Sequence, residues 1–323
     1  MEILLRNIAK CVLLAMATAS MAQNNPVLKG RFADPEVMYS EKTGKFYIYP
    51  TSDGYTNWQG DNFHCFSSSD MKQWTDEGVI LDLKKDVSWA DSRAWAPCIE
   101  EKKQKDGTYK YYFYFTAETK IGVAVADDPT GPFRDLGHPL IAERPKEADG
   151  GQCIDPDVFT DPKSGKSYLY WGNHFMAISE LGKDMTSLVA GTTRELIHYS
   201  KLYREGTYVF YRKGKYYFSW SQDDTRSPNY CVRYVMSDSP TEMPALETSK
   251  VILRKDPEKG IYATGHHSVV NVPGTDIWFI VYHRFVRPDG IEMGREAGYN
   301  REVCVDRLYF DAEGNIVPVE VSK

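Results

Sequence analysis

Five short motifs in the chain each begin a strand-like pattern, and four of them contain an acidic residue or a histidine. The five motifs contain Asp34, Ala96-Pro97, Asp155, Glu205 and His266. An Asp or Glu before Pro or Gly is often only a turn residue, but turn chemistry alone would not select acids in three motifs of five. Carboxylates that share a partly enclosed cavity separate in pKa, so that one stays ionised while another keeps its proton. Such a pair can hydrolyse an acetal by general base and general acid catalysis.

These motifs need a repeated structural element to bring them together. A strand pattern rich in Tyr, Phe, Ile and Leu occurs five times, at residues 45–49, 110–114, 166–170, 215–219 and 277–281. Turn residues precede every copy, so each copy is predicted to be the second arm of a hairpin whose first arm starts at one of the five motifs. A third strand pattern follows each hairpin, and the copies are 49 to 65 residues apart, which is long enough for four short strands.

Five units of four strands predict an all-β fold, a five-bladed β-propeller in which the first strand of each blade lines the axis. A β-sandwich also has many short strands, but it does not repeat a hairpin at this period. Because a ring cannot close with a blade missing, we expect residues 23–323 to form a single catalytic domain. The five motifs would then converge at one mouth of the central channel.

The composition contains an unusual number of aromatic residues, with 22 Tyr, 14 Phe and 7 Trp. Most of them fit a β core, because aromatic side chains pack well on a pleated sheet. Trp95 is the best candidate for a ring that stacks on a sugar, since it directly precedes the Ala96 motif; Trp58 and Trp89 lie in long loops. The net charge of −6 argues against a nucleic-acid partner, because no basic field is available for phosphate.

The N-terminus has the pattern of a secretory signal peptide over residues 1–22. Arg6 and Lys10 precede an apolar stretch at residues 11–19, and small residues precede a cut after Ala22. The stretch is too short for stable membrane insertion, so we expect export across the inner membrane to the periplasm or the outside. The five remaining cysteines are widely spaced and form no CxxC pair, which argues against metal-thiolate chemistry. We expect most of them to be buried as small hydrophobic residues.

The motifs resemble those of glycoside hydrolase family 43 in both order and spacing. They read Ala33-Asp34-Pro35, Trp95-Ala96-Pro97, Ile154-Asp155-Pro156, Glu205-Gly206 and Gly265-His266, and the resemblance extends from about residue 25 to residue 321. It implies a five-bladed propeller enzyme that inverts anomeric configuration and acts mainly on polysaccharides containing arabinose or xylose. By the same resemblance Asp34 matches the general base, Glu205 the general acid, and Asp155 the third carboxylate, which orients the acid and tunes its pKa.

The resemblance also assigns roles to His266 and Arg301. His266 matches an axial histidine that in many members faces a bound cation, so Ca²⁺ or Na⁺ in the central channel is one expectation. The alternative is that His266 and His267 fill the channel through hydrogen bonds, since one imidazole makes a poor site for a hard cation. Arg301 matches an arginine that holds sugar hydroxyls. Thr207 stands where the family often has Pro, and residues 161–165 lack a frequent acidic loop; neither departure removes a carboxylate.

The resemblance implies an exo-acting glycosidase with an oligo- or polysaccharide substrate. An α-L-arabinofuranosidase is the first choice, a β-xylosidase the second and an exo-galactanase the third. Related invertase-like propellers, which retain configuration, begin with Asn-Asp-Pro-Asn, whereas this chain has Ala33-Asp34-Pro35-Glu36. A non-catalytic carbohydrate-binding propeller would be favoured by loss of an axial acid, and a purely structural propeller leaves the acids unexplained. The sugar, the linkage and the oligomeric state stay open.

Overall fold

The computed structural model describes residues 24–323, which form five antiparallel sheets. We call the sheets blades 1 to 5 in chain order. Blades 1 and 2 contain β1 (Phe32–Ser40), β2 (Lys45–Ser52), β3 (Asn62–Ser68), β4 (Thr75–Asp82), β5 (Trp95–Lys103), β6 (Tyr109–Ala117), β7 (Lys120–Ala126) and β8 (Arg134–Asp135). Blade 3 contains β9 (Asp157–Thr160), β10 (Ser167–Trp171), β11 (Met176–Glu180) and β12 (Arg194–Ile197). Blades 4 and 5 contain β13 (Glu205–Arg212), β14 (Lys215–Gln222), β15 (Cys231–Ser237), β16 (Lys250–Leu253), β17 (Gly265–Asn271), β18 (Trp278–Phe285) and β19 (Arg301–Leu308).

Helical structure in the described residues is limited to short connections. A one-turn helix α1 (Leu83–Asp86) follows β4, and 3₁₀ segments occur at Thr56–Trp58, Leu246–Thr248, Pro257–Lys259 and Gly290–Tyr299. None of the helices in residues 24–323 is long and apolar enough to cross a membrane. The predicted signal peptide lies outside the described residues and stays a prediction.

The first strands of the blades contact one another in a closed ring. β1 contacts β5 and β17, β9 contacts β5 and β13, and β13 contacts β17. This arrangement confirms the predicted five-bladed propeller with the first strand of each blade at the axis. Most of the aromatic surplus packs between blades, as where Phe63 of blade 1 meets Phe113 of blade 2 edge to face at 5.2 Å.

The prediction of four strands in every unit is wrong for blade 5, whose own segment supplies only β17, β18 and β19. The start of the described chain runs beside β19 in place of a fourth strand. Val27 N–H donates to Val303 O at 2.9 Å, and the Asn25 side chain bonds both the N–H (2.9 Å) and the C=O (3.2 Å) of Val305. Asn25 N–H also donates to Lys323 O at 3.3 Å, so the two ends of the described residues meet in the last blade, where they close the ring and cover a strand edge.

One residue at the entry of each innermost strand lies in the left-handed region, and in blades 1, 2, 4 and 5 a β-bulge occurs there. These residues are Asp34, Ala96, Asp155, Gly206 and His266, with φ between 41° and 61°. In four blades a side chain from the second strand of the preceding blade accepts the backbone N–H of this residue. The pairs are Thr51 with Ala96 (2.7 Å), Thr116 with Asp155 (3.0 Å), Ser221 with His266 (2.9 Å) and His283 with Asp34 (3.2 Å). Adjacent blades are thus joined by a buried hydrogen bond at the mouth of the channel.

Blade 3 breaks this pattern at Gly172, which directly follows the second strand β10 at the corresponding place and has no side chain to accept a hydrogen bond. The Gly172 N–H donates to Ile154 O at 2.8 Å, which is the backbone hydrogen bond expected at this position of the hairpin. The carboxylate of Asp155 accepts the N–H of Gly206 instead, at 3.1 Å from Oδ2. Asp155 therefore both precedes its own strand and fixes the entry of the next blade.

The cysteines of the described residues behave as the sequence predicts. All five are free, and Cys65, Cys98, Cys153 and Cys304 are buried. Burial raises the pKa of the buried thiols, so these side chains act as small hydrophobic residues of the core.

Candidate active site

The mouth of the channel opens into a cavity of about 280 Å³ where the innermost strands begin. All six residues predicted from the sequence line this cavity: Asp34, Trp95, Asp155, Glu205, His266 and Arg301. The other lining residues are Trp58, Gln152, Ile154, Asn173, Arg204, Asp224, Thr225 and Arg226. We call this space the catalytic cavity.

Glu205 does not occupy the same repeat position as the other axial residues, so the sequence interpretation that aligned three acids is wrong by one residue. In blade 4 the left-handed residue is Gly206, and Glu205 pairs with Ser221 as Trp95 pairs with Thr116 in blade 2. The left-handed residue directly follows the residue that pairs with the second strand, and in blade 4 that left-handed residue is Gly206. Glu205 therefore enters the cavity from the position that Trp95 occupies in its own blade.

Asp34 is buried beside a guanidinium and two imidazoles. Its Oδ1 lies 2.9 Å from Arg301 Nη1, 3.0 Å from His283 Nδ1 and 3.2 Å from His266 Nδ1. Burial by itself would raise the pKa of this carboxyl, but Arg301 and then the histidines outweigh it and hold the pKa well below its usual range. Within residues 24–323 the other oxygen, Oδ2, has no hydrogen-bond partner. Asp34 is therefore an ionised carboxylate with one oxygen available to a water molecule.

Arg301 is engaged by carboxylates on two sides. Its Nε and Nη2 donate to Asp53 at 2.9 and 3.0 Å, and its Nη1 donates to Asp34. The side chain is 3% exposed. The paired geometry fixes the guanidinium plane, so Arg301 orients Asp34, besides lining the cavity where the resemblance implies contact with sugar hydroxyls. The sequence analysis did not identify Asp53, whose only signal is an Asp53-Gly54 turn after β2.

Glu205 and Asp155 form a carboxylate pair in the same cavity as Asp34. Glu205 Oε1 accepts the Tyr230 hydroxyl at 2.9 Å, and Oε2 accepts the Asn173 amide. Burial, and then the charge of Glu205, raise the pKa of Asp155 well above its usual range. The pair therefore retains a proton under conditions in which Asp34 is ionised.

Tyr230 links the surroundings of Glu205 to those of Asp34. Its ring stacks on His283 with centroids 5.6 Å apart and planes 5° apart, and burial lowers the pKa of His283 to about 3. The ring passes so close to Gly265 that a Cβ there would lie 2.3 Å from it, which is why this position requires glycine. The repeat pattern offered no signal for Tyr230, His283 or Asn173, because all three lie outside the axial motifs.

Trp95 and Trp58 form one wall of the cavity, and both are partly exposed. Trp95 Nε1–H donates to Trp58 O at 2.6 Å, and Trp58 Nε1–H donates to Gly298 O at 2.7 Å. Their polar edges are thus satisfied by the backbone while part of each ring faces the cavity. Trp89 instead stacks on Phe115 at 5.8 Å and packs against the core.

The surroundings of His266 do not supply a set of metal ligands. His266 Nδ1 faces Asp34, and its ring packs so closely over Gly206 that a Cβ there would lie 3.2 Å from it. His267 Nε2 lies 2.8 Å from Ser219 Oγ, as the hydrogen-bonded alternative predicts. In the described part of the chain no three His, Cys, Asp or Glu side chains converge as ligands. We therefore derive no step through the Ca²⁺ or Na⁺ that the resemblance implied.

Known proteins with a similar sequence or structure are glycosidases. The β-D-galactofuranosidase xynD of Aspergillus niger is 35% identical over 322 aligned positions, which cover 96% of this chain and 88% of the relative. The structure of an α-L-arabinofuranosidase from Clostridium thermocellum is 32% identical, with a TM-score of 0.69, and covers 91% of this chain and 95% of that one. A β-xylosidase/α-arabinofuranosidase from a compost metagenome, solved with xylotriose in a calcium-free form, is 25% identical, with a TM-score of 0.70, over 92% of this chain and 97% of its own.

Together the propeller, the opposed carboxylates at its mouth and these relatives define the protein as a glycoside hydrolase that acts on glycosidic bonds. Residues 23–316 match the sequence profile of the glycosyl hydrolases family 43. The chain belongs to this family.

Proposed function

We propose that the protein is an inverting exo-glycosidase that removes terminal sugars from plant-type oligo- and polysaccharides, and that it is an α-L-arabinofuranosidase. The observation that carries the proposal is one cavity lined by Asp34, which is bound to Arg301, and by Asp155 and Glu205. Asp34 is kept ionised by Arg301, whereas the Asp155–Glu205 pair keeps a proton. A base and an acid are thus available at the same pH.

In this mechanism Asp34 takes a proton from a water molecule through its free Oδ2, and that water attacks the anomeric carbon. Glu205 gives its proton to the leaving oxygen from the other side, held by Tyr230 and Asn173. Asp155 fixes the backbone next to Glu205 through the Gly206 N–H and favours a proton on the pair. Arg301 and Asp53 keep Asp34 oriented.

The placement of the two strands supports inversion of configuration. β17 lies between β1, which carries Asp34, and β13, which carries Glu205, and the partners of the two carboxylates differ. An inverting site separates its carboxyl groups by about 6.5–9.5 Å to admit a water, against about 5–5.5 Å in a retaining site. Proton NMR early in the reaction should show the inverted anomer first. Net retention would overturn the roles of Asp34 and Glu205 together.

The choice of sugar is supported by the arabinofuranosidases among the relatives. A β-D-galactofuranosidase is the second candidate, because the Aspergillus niger relative has that activity and a β-D-galactofuranoside shares its ring stereochemistry with an α-L-arabinofuranoside. Aryl glycosides of arabinofuranose, galactofuranose, xylose and galactose separate the candidates, and we expect the highest kcat/KM with arabinofuranose. Asp34→Asn should lower kcat about 10²–10⁴-fold without loss of the folded state, and near-native activity would refute the assignment.

We also propose that residues 1–22 are removed during export to the periplasm or the outside. The support is the charged, apolar and small-residue pattern of the N-terminus. N-terminal sequencing of the protein from a host with a secretion pathway should begin at Gln23. A first residue at Met1 in the cytoplasmic fraction would exclude the proposal.

A further inference from the structure

A groove of about 620 Å³ adjoins the catalytic cavity. Its walls are residues 147–151, His174, Phe175, Glu195, His198 and Tyr199, and we call it the Tyr199 groove. The two spaces share no lining residue, but their walls touch where Arg204 Nη1 of the catalytic cavity lies 2.6 Å from His174 Nε2 of the groove.

The groove contains an aromatic ring that is exposed and yet held in place. Tyr199 is 69% exposed, and its ring stacks on His174 with centroids 5.7 Å apart and planes 16° apart. His174 is itself fixed by Arg204 Nη1, which lies 2.6 Å from its Nε2. One face of the tyrosine ring is covered by His174, which leaves the other face for a ligand. A supported flat ring of this kind suits the C–H face of a sugar.

A polar group stands at the edge of the same groove. Glu195, whose side chain is 3% exposed, contacts Nδ1 of His198, whose side chain is 79% exposed. His198 therefore presents an exposed imidazole to the groove. The groove thus combines a polar ring that can hydrogen-bond with a stacking ring, which is the combination that recognises a sugar hydroxyl and its neighbouring C–H face.

The groove lies on the side of the general acid. Asn173 donates to Glu205 Oε2, and Arg204, the residue before Glu205, lies with its Nε 3.7 Å from the same oxygen. Both residues connect directly to His174, one along the chain and one through a hydrogen bond. In glycoside hydrolysis the acid protonates the leaving oxygen, so the part of the substrate that departs must extend past Glu205.

We propose that the Tyr199 groove binds the leaving-group side of the substrate, a second sugar unit of an oligo- or polysaccharide, with Tyr199 as the stacking platform and His198 as a hydrogen-bond partner. The proposal builds on the proposed role of Glu205 as the acid. It assigns the preference for oligosaccharides over small glycosides to residues outside the carboxylate site.

The test compares two substrates that carry the same terminal sugar. Tyr199→Ala should lower kcat/KM for arabinofuranosyl-substituted xylotriose about 5- to 10-fold, mainly through KM, because one stacking contact is lost. It should change kcat/KM for 4-nitrophenyl α-L-arabinofuranoside less than 2-fold, since nitrophenol has no second sugar. Tyr199→Phe keeps the ring and should behave as the native protein. The exposed Tyr309 lines neither space, so Tyr309→Ala is the control for loss of a surface tyrosine.

Each outcome decides the proposal. Equal losses on both substrates with Tyr199→Ala, or no loss on the oligosaccharide, would overturn it. If the native protein hydrolyses neither substrate, the proposed function fails separately. Calorimetric binding of the oligosaccharide to Glu205→Gln, with and without Tyr199→Ala, then tests the groove by itself, and equal affinities would overturn it.

Discussion

Asp34 and Asp155 occupy equivalent left-handed positions in blades 1 and 3, yet their neighbours shift their pKa values in opposite directions. Both are buried, and burial alone would raise both values. Asp34 faces Arg301 and two histidines, which lower its pKa, whereas Asp155 faces the carboxylate of Glu205, which raises its pKa further. The sequence position thus supplies a carboxyl group, and the side chains across the cavity decide whether it is a base.

At this scale we predict that the effect of Glu205→Gln depends on the leaving group. The amide keeps hydrogen bonds to Tyr230 and Asn173 but has no proton to give. With a natural sugar leaving group, kcat should fall about 10²–10⁴-fold, whereas an activated phenol needs little protonation and should retain much of its rate. A series of aryl glycosides with phenols of increasing pKa measures this dependence. Equal losses across the series would instead indicate a binding or folding defect.

The bulges at the entry of the innermost strands are the elements that aim the site. The left-handed residue at each entry turns its N–H towards a side chain of the preceding blade. Because a buried N–H without a partner is costly, each of these N–H groups needs an acceptor from the preceding blade as a cap. Gly172 has no side chain that could provide this cap, so the carboxylate of Asp155 accepts the Gly206 N–H instead.

We predict that Thr51→Val destabilises the protein by about 1–3 kcal/mol, because the valine has the same shape but leaves the buried Ala96 N–H without an acceptor. Denaturant unfolding of the two proteins measures the difference in the free energy of unfolding. Thr75→Val is the matched control, since Thr75 is an exposed residue of β4 and its substitution should change stability by less than about 0.5 kcal/mol. Similar effects of the two substitutions would contradict the proposed cap.

The ring as a whole encloses ionisable groups that have no part in the proposed base and acid catalysis. Glu36 and Asp157 line the narrow channel below the site with His267, and burial raises the pKa of both carboxyls. Burial lowers the pKa of His267 to about 3. These groups are enclosed only because five blades close around the axis, so their titration reports on the intact ring.

We predict that His267 makes the folded state less stable as the pH falls. Its folded pKa is about 3 and its unfolded pKa is about 6.5, so between these values the unfolded chain binds a proton that the folded chain refuses. The contribution of His267 to the free energy of unfolding should therefore fall by about 1.4 kcal/mol per pH unit below pH 6.5. The raised carboxyls act in the opposite direction, so the measurement is the difference in unfolding free energy between the native protein and His267→Gln.

Between pH 7 and pH 5, the unfolding free energy of the native protein should fall by about 2 kcal/mol relative to that of His267→Gln. His138→Gln, at an exposed histidine, controls for removal of an imidazole from the surface. Parallel curves for the native protein and His267→Gln would show that the channel histidine is not held neutral by burial.

The sequence by itself determined the class of fold and most of the axial site. Hairpin signals and their repetition act over short stretches of chain, so five units and the acids that open them can be recognised without knowledge of their contacts. Asp34, Asp155, His266 and Trp95 followed directly from this repetition and line the catalytic cavity. The family resemblance added Arg301, which lies in the same cavity.

Only the tertiary structure decided the register, the partners and the protonation of the site. The register places Glu205 one position before the left-handed residue of its blade, and the closing segment at Asn25 replaces a strand of blade 5. The partners that set the charges join residues far apart in the chain, as Arg301 does with Asp34 across 267 positions. The effect of these partners on the pKa values depends on the exclusion of water when the ring closes. Such a desolvation energy is a property of the assembled blades, and no local pattern of residues encodes it.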